Sequence, residues 1–189
     1  MKIIRIPGLL VVLLAAGTLL GQSLPTPSLA SPVNMDIGIG GGATLPSGKL
    51  SDANNTGWHA GGKIRLHGFM PLSIVALGNY HRLPNKVGSE SDTEVMIGAG
   101  LEYPIPSVMV KPYFGVDATV NIFSNTGPGP SSTTRQGIGV GVGVEFTVPA
   151  FGSFDTSVKY QMLNLIGKEN NEESISQISA NLAIMLSVL

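Results

Sequence analysis

The sequence has 189 residues, including 25 Gly and 13 Pro, with 12% charged residues and a formal net charge of −1. This weak charge balance, without any cluster of Lys or Arg, gives no electrostatic basis for nucleic acid as a partner. The absence of Cys excludes disulfides, Cys-based zinc sites, thiol catalysis and lipidation of an N-terminal Cys.

The first thirty residues have the pattern of a cleavable export signal. Lys2 and Arg5 form a basic start, an apolar stretch follows at 8–20, and Ser28-Leu29-Ala30 is a small-x-small cleavage site. The apolar stretch is shorter than the ~20 residues that a membrane-spanning helix requires. We therefore predict a signal peptide over 1–30 and a single mature domain over 31–189.

The mature chain alternates between apolar and polar residues with a period of two, which is typical of β-strands with two different faces. Turn residues divide it into eight predicted strands, at 33–43, 58–69, 72–82, 92–103, 108–122, 136–148, 153–164 and 175–188. The clearest alternating runs are ten to thirteen residues long, against the ~9–11 that a tilted strand needs to cross a bilayer.

The predicted connections alternate between short and long. Tight turns fall at 70–71, 104–107 and 149–152, whereas longer polar links fall at 45–57, 83–92, 124–135 and 165–174. This asymmetry is typical of outer-membrane barrels, with short turns in the periplasm and long loops outside. An even number of strands then puts both termini on the periplasmic side.

The two faces of the strands predict which side meets lipid. In 137–148 every even position is apolar, while the odd positions hold four consecutive glycines, Gly137, Gly139, Gly141 and Gly143. A soluble carrier would have a core with large aromatic residues, but these apolar rows are mainly aliphatic and uniform in size. We predict an apolar exterior and a polar interior. Rings near strand ends suggest two interfacial belts, Trp58, Tyr80 and Phe123 at the loop ends and Phe69, Tyr103, Phe146 and Phe154 at the turn ends.

One segment repeats at a spacing of 43 residues, since 98–106 and 141–149 share the pattern Gly-x-Gly-apolar-Glu-aromatic-x-apolar-Pro. With this repeat and its strand pattern, the region 33–189 resembles the OmpA/OmpX-like eight-stranded outer-membrane barrels. The one departure is the C-terminus, Leu186-Ser187-Val188-Leu189, where such proteins usually end in an aromatic residue.

The resemblance implies an all-β fold, an eight-stranded antiparallel up-and-down transmembrane β-barrel in the cell outer membrane. It implies a lumen closed by charged side chains and a structural or surface-interaction role. The expected partners are outer-membrane lipid, the barrel-assembly machinery and a surface ligand bound through the loops. We expect a monomer that uses no cofactor and binds no metal.

The polar rows carry charges that a narrow barrel cannot leave unpaired, because burying an isolated ion is very unfavourable. We predict that they form one ionic network in the lumen, comprising Lys63, Arg65, His67, Glu102, Lys111, Asp117, Glu145 and Lys159. Arg65 is the predicted centre, because its guanidinium can bind two carboxylates. Glu102 and Lys111 flank a tight turn and are predicted to pair. We place Asp36, Glu94 and Asp155 near the rims, in contact with solvent.

Two alternative functions remain open at this stage. The inward glycines allow a narrow water path, and therefore a small-solute channel. His59 and His81 lie near the loop ends, where one of them could serve a lipid-modifying enzyme together with Ser51 or Ser73. No motif brings these residues together, and we predict that the protein is not an enzyme.

Overall fold

The structure is a computed structural model that describes residues 33–69, 71–105, 110–125, 132–148, 152–168 and 172–188. The predicted signal peptide and its cleavage site lie outside these ranges, as do parts of the turns and loops. Among the described residues, no helix is both long enough and apolar enough to cross a membrane.

Eight antiparallel strands close into a barrel in chain order, which confirms the predicted fold. They are β1 Met35–Gly48, β2 Gly57–Phe69, β3 Leu72–Pro84, β4 Ser91–Pro104, β5 Val110–Asn125, β6 Ser132–Val148, β7 Gly152–Ile166 and β8 Ile175–Ser187. Strand β1 pairs with both β2 and β8, so the sheet has no free edge. The turn end of the barrel carries the connections β2–β3, β4–β5 and β6–β7, and the loop end carries the others.

The first long connection differs from its prediction. Strand β1 continues five residues beyond its predicted end at residue 43, to Gly48, because Leu45 and Pro46 stay in register with Ile178 and Gln177 of β8. A short helix, α1 Leu50–Ala53, follows it and was not predicted.

Burial is inverted relative to a soluble protein. Ile39, Val142 and Leu182 are 72%, 62% and 59% exposed on the outside, whereas Arg65 and Glu102 are each 3% exposed. An apolar exterior around a polar interior is the arrangement of a barrel that lies in a bilayer. The structure thus confirms the predicted assignment of the two faces.

The predicted belt residues whose side chains the structure describes face outward, with one exception. At the loop end Trp58 and Tyr80 lie side by side, with ring centroids 5.8 Å apart. At the turn end Tyr103 stacks on Phe114 at 5.3 Å, and the predicted belt residues Phe146 and Phe154 are exposed there.

The exception is Phe123, for which the belt assignment is wrong. Its side chain packs against buried residues inside the barrel, because position 123 shares the phase of the inward-facing Asp117 and Asn121. The side chain of Phe69 lies outside the described part of the chain.

The inward glycines of β6 provide space for side chains from its neighbours. A Cβ atom on Gly139 would lie 2.5 Å from Oδ1 of Asp117, and one on Gly143 would lie 2.3 Å from the ring of Tyr113. Both contacting residues belong to β5, directly opposite these glycines. The glycine row therefore lets side chains of β5 extend across β6 within the lumen.

Candidate functional site in the barrel lumen

Arg65 lies at the centre of a group of three carboxylates near the turn end. Its Nε donates to Oε2 of Glu102 at 2.6 Å, and its Nη2 donates to Oδ2 of Asp155 at 2.7 Å. Its Nη1 donates to Oε2 of Glu145. Because these acceptors belong to β4, β7 and β6, one side chain of β2 connects four strands across the lumen.

Lys63 and Tyr113 complete this layer. The Lys63 ammonium donates to carboxylate oxygens of Glu102 and Asp155, each at 3.0 Å. The Tyr113 hydroxyl donates to Oδ1 of Asp155 at 2.8 Å. Its ring lies 5.0 Å from Nζ of Lys63 and 5.1 Å from Cζ of Arg65, within the range of cation–π attraction. We call this group the Arg65 layer; its members are Lys63, Arg65, Glu102, Tyr113, Glu145 and Asp155.

Lys111 joins the edge of this layer through a different partner from the one predicted. Its ammonium lies 3.5 Å from Oε1 of Glu145, because the strand register places these two residues directly opposite each other. Glu102 is instead bound by Arg65 and Lys63. The predicted pairing of Glu102 with Lys111 is therefore wrong.

Three of the predicted network residues lie apart from the Arg65 layer. Lys159 of β7 and Asp117 of β5 form their own pair at 2.5 Å, meeting above the glycines of the intervening β6. His67 lies 2.7 Å from Oδ2 of Asp36 and 3.0 Å from the hydroxyl of Ser73. The structure thus divides the predicted single network into three groups.

The three carboxylates predicted to contact solvent at the rims are buried. Asp36, Glu94 and Asp155 are 7%, 1% and 0% exposed. For Asp155 the reason is the length of the Arg65 side chain, which brings a charge partner to the start of β7. For Glu94 the reason is that β3 extends to Pro84 and β5 to Asn125, so the barrel wall continues beyond this residue.

The loop half of the lumen contains an apolar cluster that the sequence analysis missed. Leu77, Met96 and Leu163 are buried there. Their signal was present, since Met96 shares the phase of Glu94 on β4 and Leu163 shares the phase of the inward row of β7. We call this the inner apolar cluster; it comprises Leu77, Met96 and Leu163 together with the partly buried Leu50, Phe123 and Ile175.

The histidines near the loop end face the lumen. The Thr44 hydroxyl lies 3.0 Å from Nδ1 of both His59 and His81, whose rings stack at 5.0 Å. The two serines considered as their partners lie elsewhere: Ser51 donates to a backbone carbonyl, and Ser73 is at the turn end. The described residues include no group of three or more His, Cys, Asp or Glu side chains arranged to hold a metal ion.

The part of the chain that the structure describes encloses three cavities along the lumen. The first, about 140 Å³ at the turn end, is bordered by Arg65, and the second, about 50 Å³, by Lys63 and Leu77. The third, about 300 Å³ at the loop end, is bordered by Glu94 and Phe123. These cavities share no lining residue. The Arg65 layer lies between the first two, and the inner apolar cluster lies between the second and the third.

Comparison with known proteins supports the fold. The sequence matches no protein-family model and no curated protein. The crystal structure of Neisserial surface protein A (NspA) is similar at 22% identity and a TM-score of 0.64, with 80% of this chain and 96% of that chain covered. The N-terminal β-barrel domain of Pseudomonas aeruginosa OprF is similar at 13% identity and a TM-score of 0.53, with coverages of 81% and 97%.

The fold and the inverted burial together define the class of protein. A closed barrel of eight strands with an apolar exterior and a charged interior is an outer-membrane β-barrel. The chain has the fold of the small eight-stranded outer-membrane barrels that its sequence resembles. Its location is accordingly the outer membrane.

Proposed function

We propose that this outer-membrane barrel has a closed lumen and acts as a structural, surface-interacting protein of the envelope, not as a channel. The observation that carries the proposal is the Arg65 layer, in which one guanidinium binds carboxylates from three other strands. A group that joins opposite walls of a narrow barrel obstructs any path along its axis.

The charges around Arg65 support a layer that stays assembled. The carboxylates Glu102, Glu145 and Asp155 face three cations, Arg65, Lys63 and Lys111, so the group is formally neutral. Opening it would leave buried charges without partners, which typically costs about 3–5 kcal/mol when a partner of a buried pair is removed. Transient opening for solutes is therefore unfavourable.

A small-solute channel is the second candidate, and the central cavity is the observation that favours it. Inward glycines, among them Gly38, Gly40 and Gly61, line this cavity of about 50 Å³. Its volume exceeds the ~10–15 Å³ of probe-occupied space that one water needs. Planar-bilayer conductance of the purified wild-type barrel separates the two candidates. We expect little or no steady current, and a steady wild-type current would contradict the closed lumen.

The loop end provides an ordered surface for a partner. Asn54, after α1, pairs with Asn85 in the β3–β4 connection, which joins two neighbouring loops. Lys49 lies 3.2 Å from Asp52 and 3.4 Å from Glu173, and hydrogen bonds to these carboxylates raise the pKa of the Lys49 ammonium. We propose that these joined loops carry the surface interaction. Replacing residues 85–90 with a Gly-Ser linker should abolish binding of the barrel to its surface ligand while leaving the fold intact.

We propose further that the protein is exported through its signal peptide, assembled by the barrel-assembly machinery and monomeric in the membrane. The tripartite pattern at 1–30 predicts that the mature chain begins at Ser31. Intact-mass measurement of protein from outer membranes tests this start, and retention of Met1 would contradict it. No enzymatic step is part of the proposal, because His59 and His81 face the lumen, away from lipid.

A further inference from the structure

The cavity at the loop end combines an apolar wall with a buried carboxylate. Leu50, Leu83, Phe123 and Ile175 form the apolar part of its lining, and Glu94 contributes the acid. Its volume of about 300 Å³ is at the lower end of the ~300–1,000 Å³ that is common for ligand sites. Apolar walls with a few polar groups are also the usual composition of such sites.

Among the described residues, Glu94 lacks the hydrogen-bond partners that the other carboxylates of the lumen have. It is 1% exposed, and neither of its oxygens accepts a hydrogen bond from the described residues. Gln177 lies beside it and uses one of its two amide hydrogens in a bond to Gln161 at 3.2 Å. His81, opposite Glu94 in the strand register, contacts Thr44 through Nδ1, and its buried Nε2 also has no hydrogen-bond partner among the described residues. A carboxyl group buried in this way is either protonated and neutral or held by a cationic or hydrogen-bonding partner.

The other charged groups of the cavity have hydrogen-bond partners. Arg135 donates to the Glu172 carboxylate through Nε at 3.1 Å and through Nη2 at 2.8 Å. Asp92 accepts a hydrogen bond from Asn54 at 3.1 Å. Glu94 is therefore the acidic group of this lining whose oxygens have no hydrogen-bond partner among the described residues.

We propose that the loop-end cavity binds a small organic ammonium compound. Its ammonium group would donate to the Glu94 carboxylate, and its apolar body would pack against Leu83 and Phe123. A divalent metal is disfavoured, because Ca²⁺ takes six to eight oxygen ligands and the described residues contain no cluster of three ligating side chains. An anion is disfavoured by Asp92 and Glu94. The site depends on the barrel fold but not on closure of the lumen.

The experiment measures binding of 2-phenylethylamine to the purified full barrel by calorimetry. A non-ionic maltoside micelle is required, since zwitterionic detergents carry an ammonium group that would compete. The matched neutral ligand is 2-phenylethanol, which has the same apolar body, and CaCl₂ tests the metal alternative. We expect saturable amine binding, at least about tenfold weaker binding of the alcohol, and no competition by millimolar Ca²⁺.

The decisive variant is Glu94→Gln, which keeps the shape of the side chain and removes its charge. We expect amine affinity to fall by about tenfold or more, whereas Glu90→Gln, an equal charge change at an exposed loop position, should leave it unchanged. The migration of unboiled samples in gel electrophoresis checks that each variant is folded. If Glu94→Gln does not fold, Phe123→Ala takes its place and should weaken the amine and the alcohol alike.

Three results would overturn the proposal. In the first, the amine binds the wild type and Glu94→Gln with equal affinity. In the second, the wild type binds the amine and the alcohol with equal affinity. In the third, the amine shows no saturable binding to the wild type. A wild-type barrel that conducts steadily would contradict the closed lumen while leaving this site intact, so the two proposals fail separately.

Discussion

Replacing Arg65 with Ala should lower the free energy of unfolding by about 3 kcal/mol, at the lower end of the range for breaking a buried ion pair. The lower end applies because Lys63 remains 3.0 Å from two of the three carboxylates. Glu145 loses its short contact, and the cation that remains beside it among the described residues is Lys111 at 3.5 Å, a side chain that is 45% exposed. Counted together with Lys111, the Arg65 layer would change from formally neutral to a charge of −1, and the first two cavities would be joined.

The assay is urea unfolding of the barrel in lipid vesicles, followed by the fluorescence of Trp58. This is the single Trp of the sequence, and it is 49% exposed on the outer surface, so its emission reports transfer from bilayer to water. Arg65→Lys keeps the positive charge but not the planar guanidinium that binds several carboxylates, and it should lose less stability than Arg65→Ala. Arg65→Met with Glu145→Gln removes the cation together with one of its three carboxylates, so no net charge is left unbalanced and much of the loss should be recovered.

Stability and conductance should change together. Planar-bilayer current should rise in Arg65→Ala and stay near the wild-type level in Arg65→Lys. If Arg65→Ala unfolds within about 0.5 kcal/mol of the wild type, the size of a typical surface substitution, and its current is also unchanged, the three carboxylates are solvated. The reasoning about a buried, sealing layer would then be refuted.

Two further predictions test the wall of the barrel. Val142→Arg places a charge on the lipid-facing surface and should lower the free energy of unfolding by about 2–4 kcal/mol if it lies at the bilayer midplane. Val87→Arg, at an 88% exposed loop position, should leave stability almost unchanged. Equal effects of the two variants in the urea titration would mean that the faces are misassigned. Gly143→Ala should cost about 1–3 kcal/mol through overpacking, because its Cβ would lie 2.3 Å from the ring of Tyr113. Gly78→Ala, whose nearest contact is at 4.0 Å, is the matched control, and a similar loss in both would exclude overpacking as the cause.

The barrel wall was predictable because its signal is local. Alternation along each strand fixes which residues share a face, and Pro, Gly and Asn mark most turns. The end of β1 was missed because Pro46 suggested a turn, although it is paired with Gln177 of β8 within the sheet. Whether a Pro can take part in a sheet depends on the strand that lies opposite it, and the partner of Pro46 lies far away in the sequence.

Partners inside the lumen were less predictable, because they depend on register between strands. Glu102 and Lys111 are near in sequence, yet register places Lys111 opposite Glu145. The central position of Arg65 followed from chemistry alone, since only a long, forked cation can bind carboxylates from several walls. Burial of Asp155 could not be predicted in this way, because it results from the long side chain of Arg65, which binds Asp155 from another strand.

The seam between β1 and β8 sets the order in which the fold can be completed. It runs from Asp36 opposite Ser187 to Gly48 opposite Ile175, and the hydrogen bond from Ser187 to Asp36 joins residues 151 positions apart. Until the last strand has been synthesised, the open edges of β1 and β7 expose unpaired backbone groups, which favour aggregation. A chain truncated before Ile175 should therefore be an open, aggregation-prone sheet, not a weakened barrel, because β8 must be present before the barrel can close.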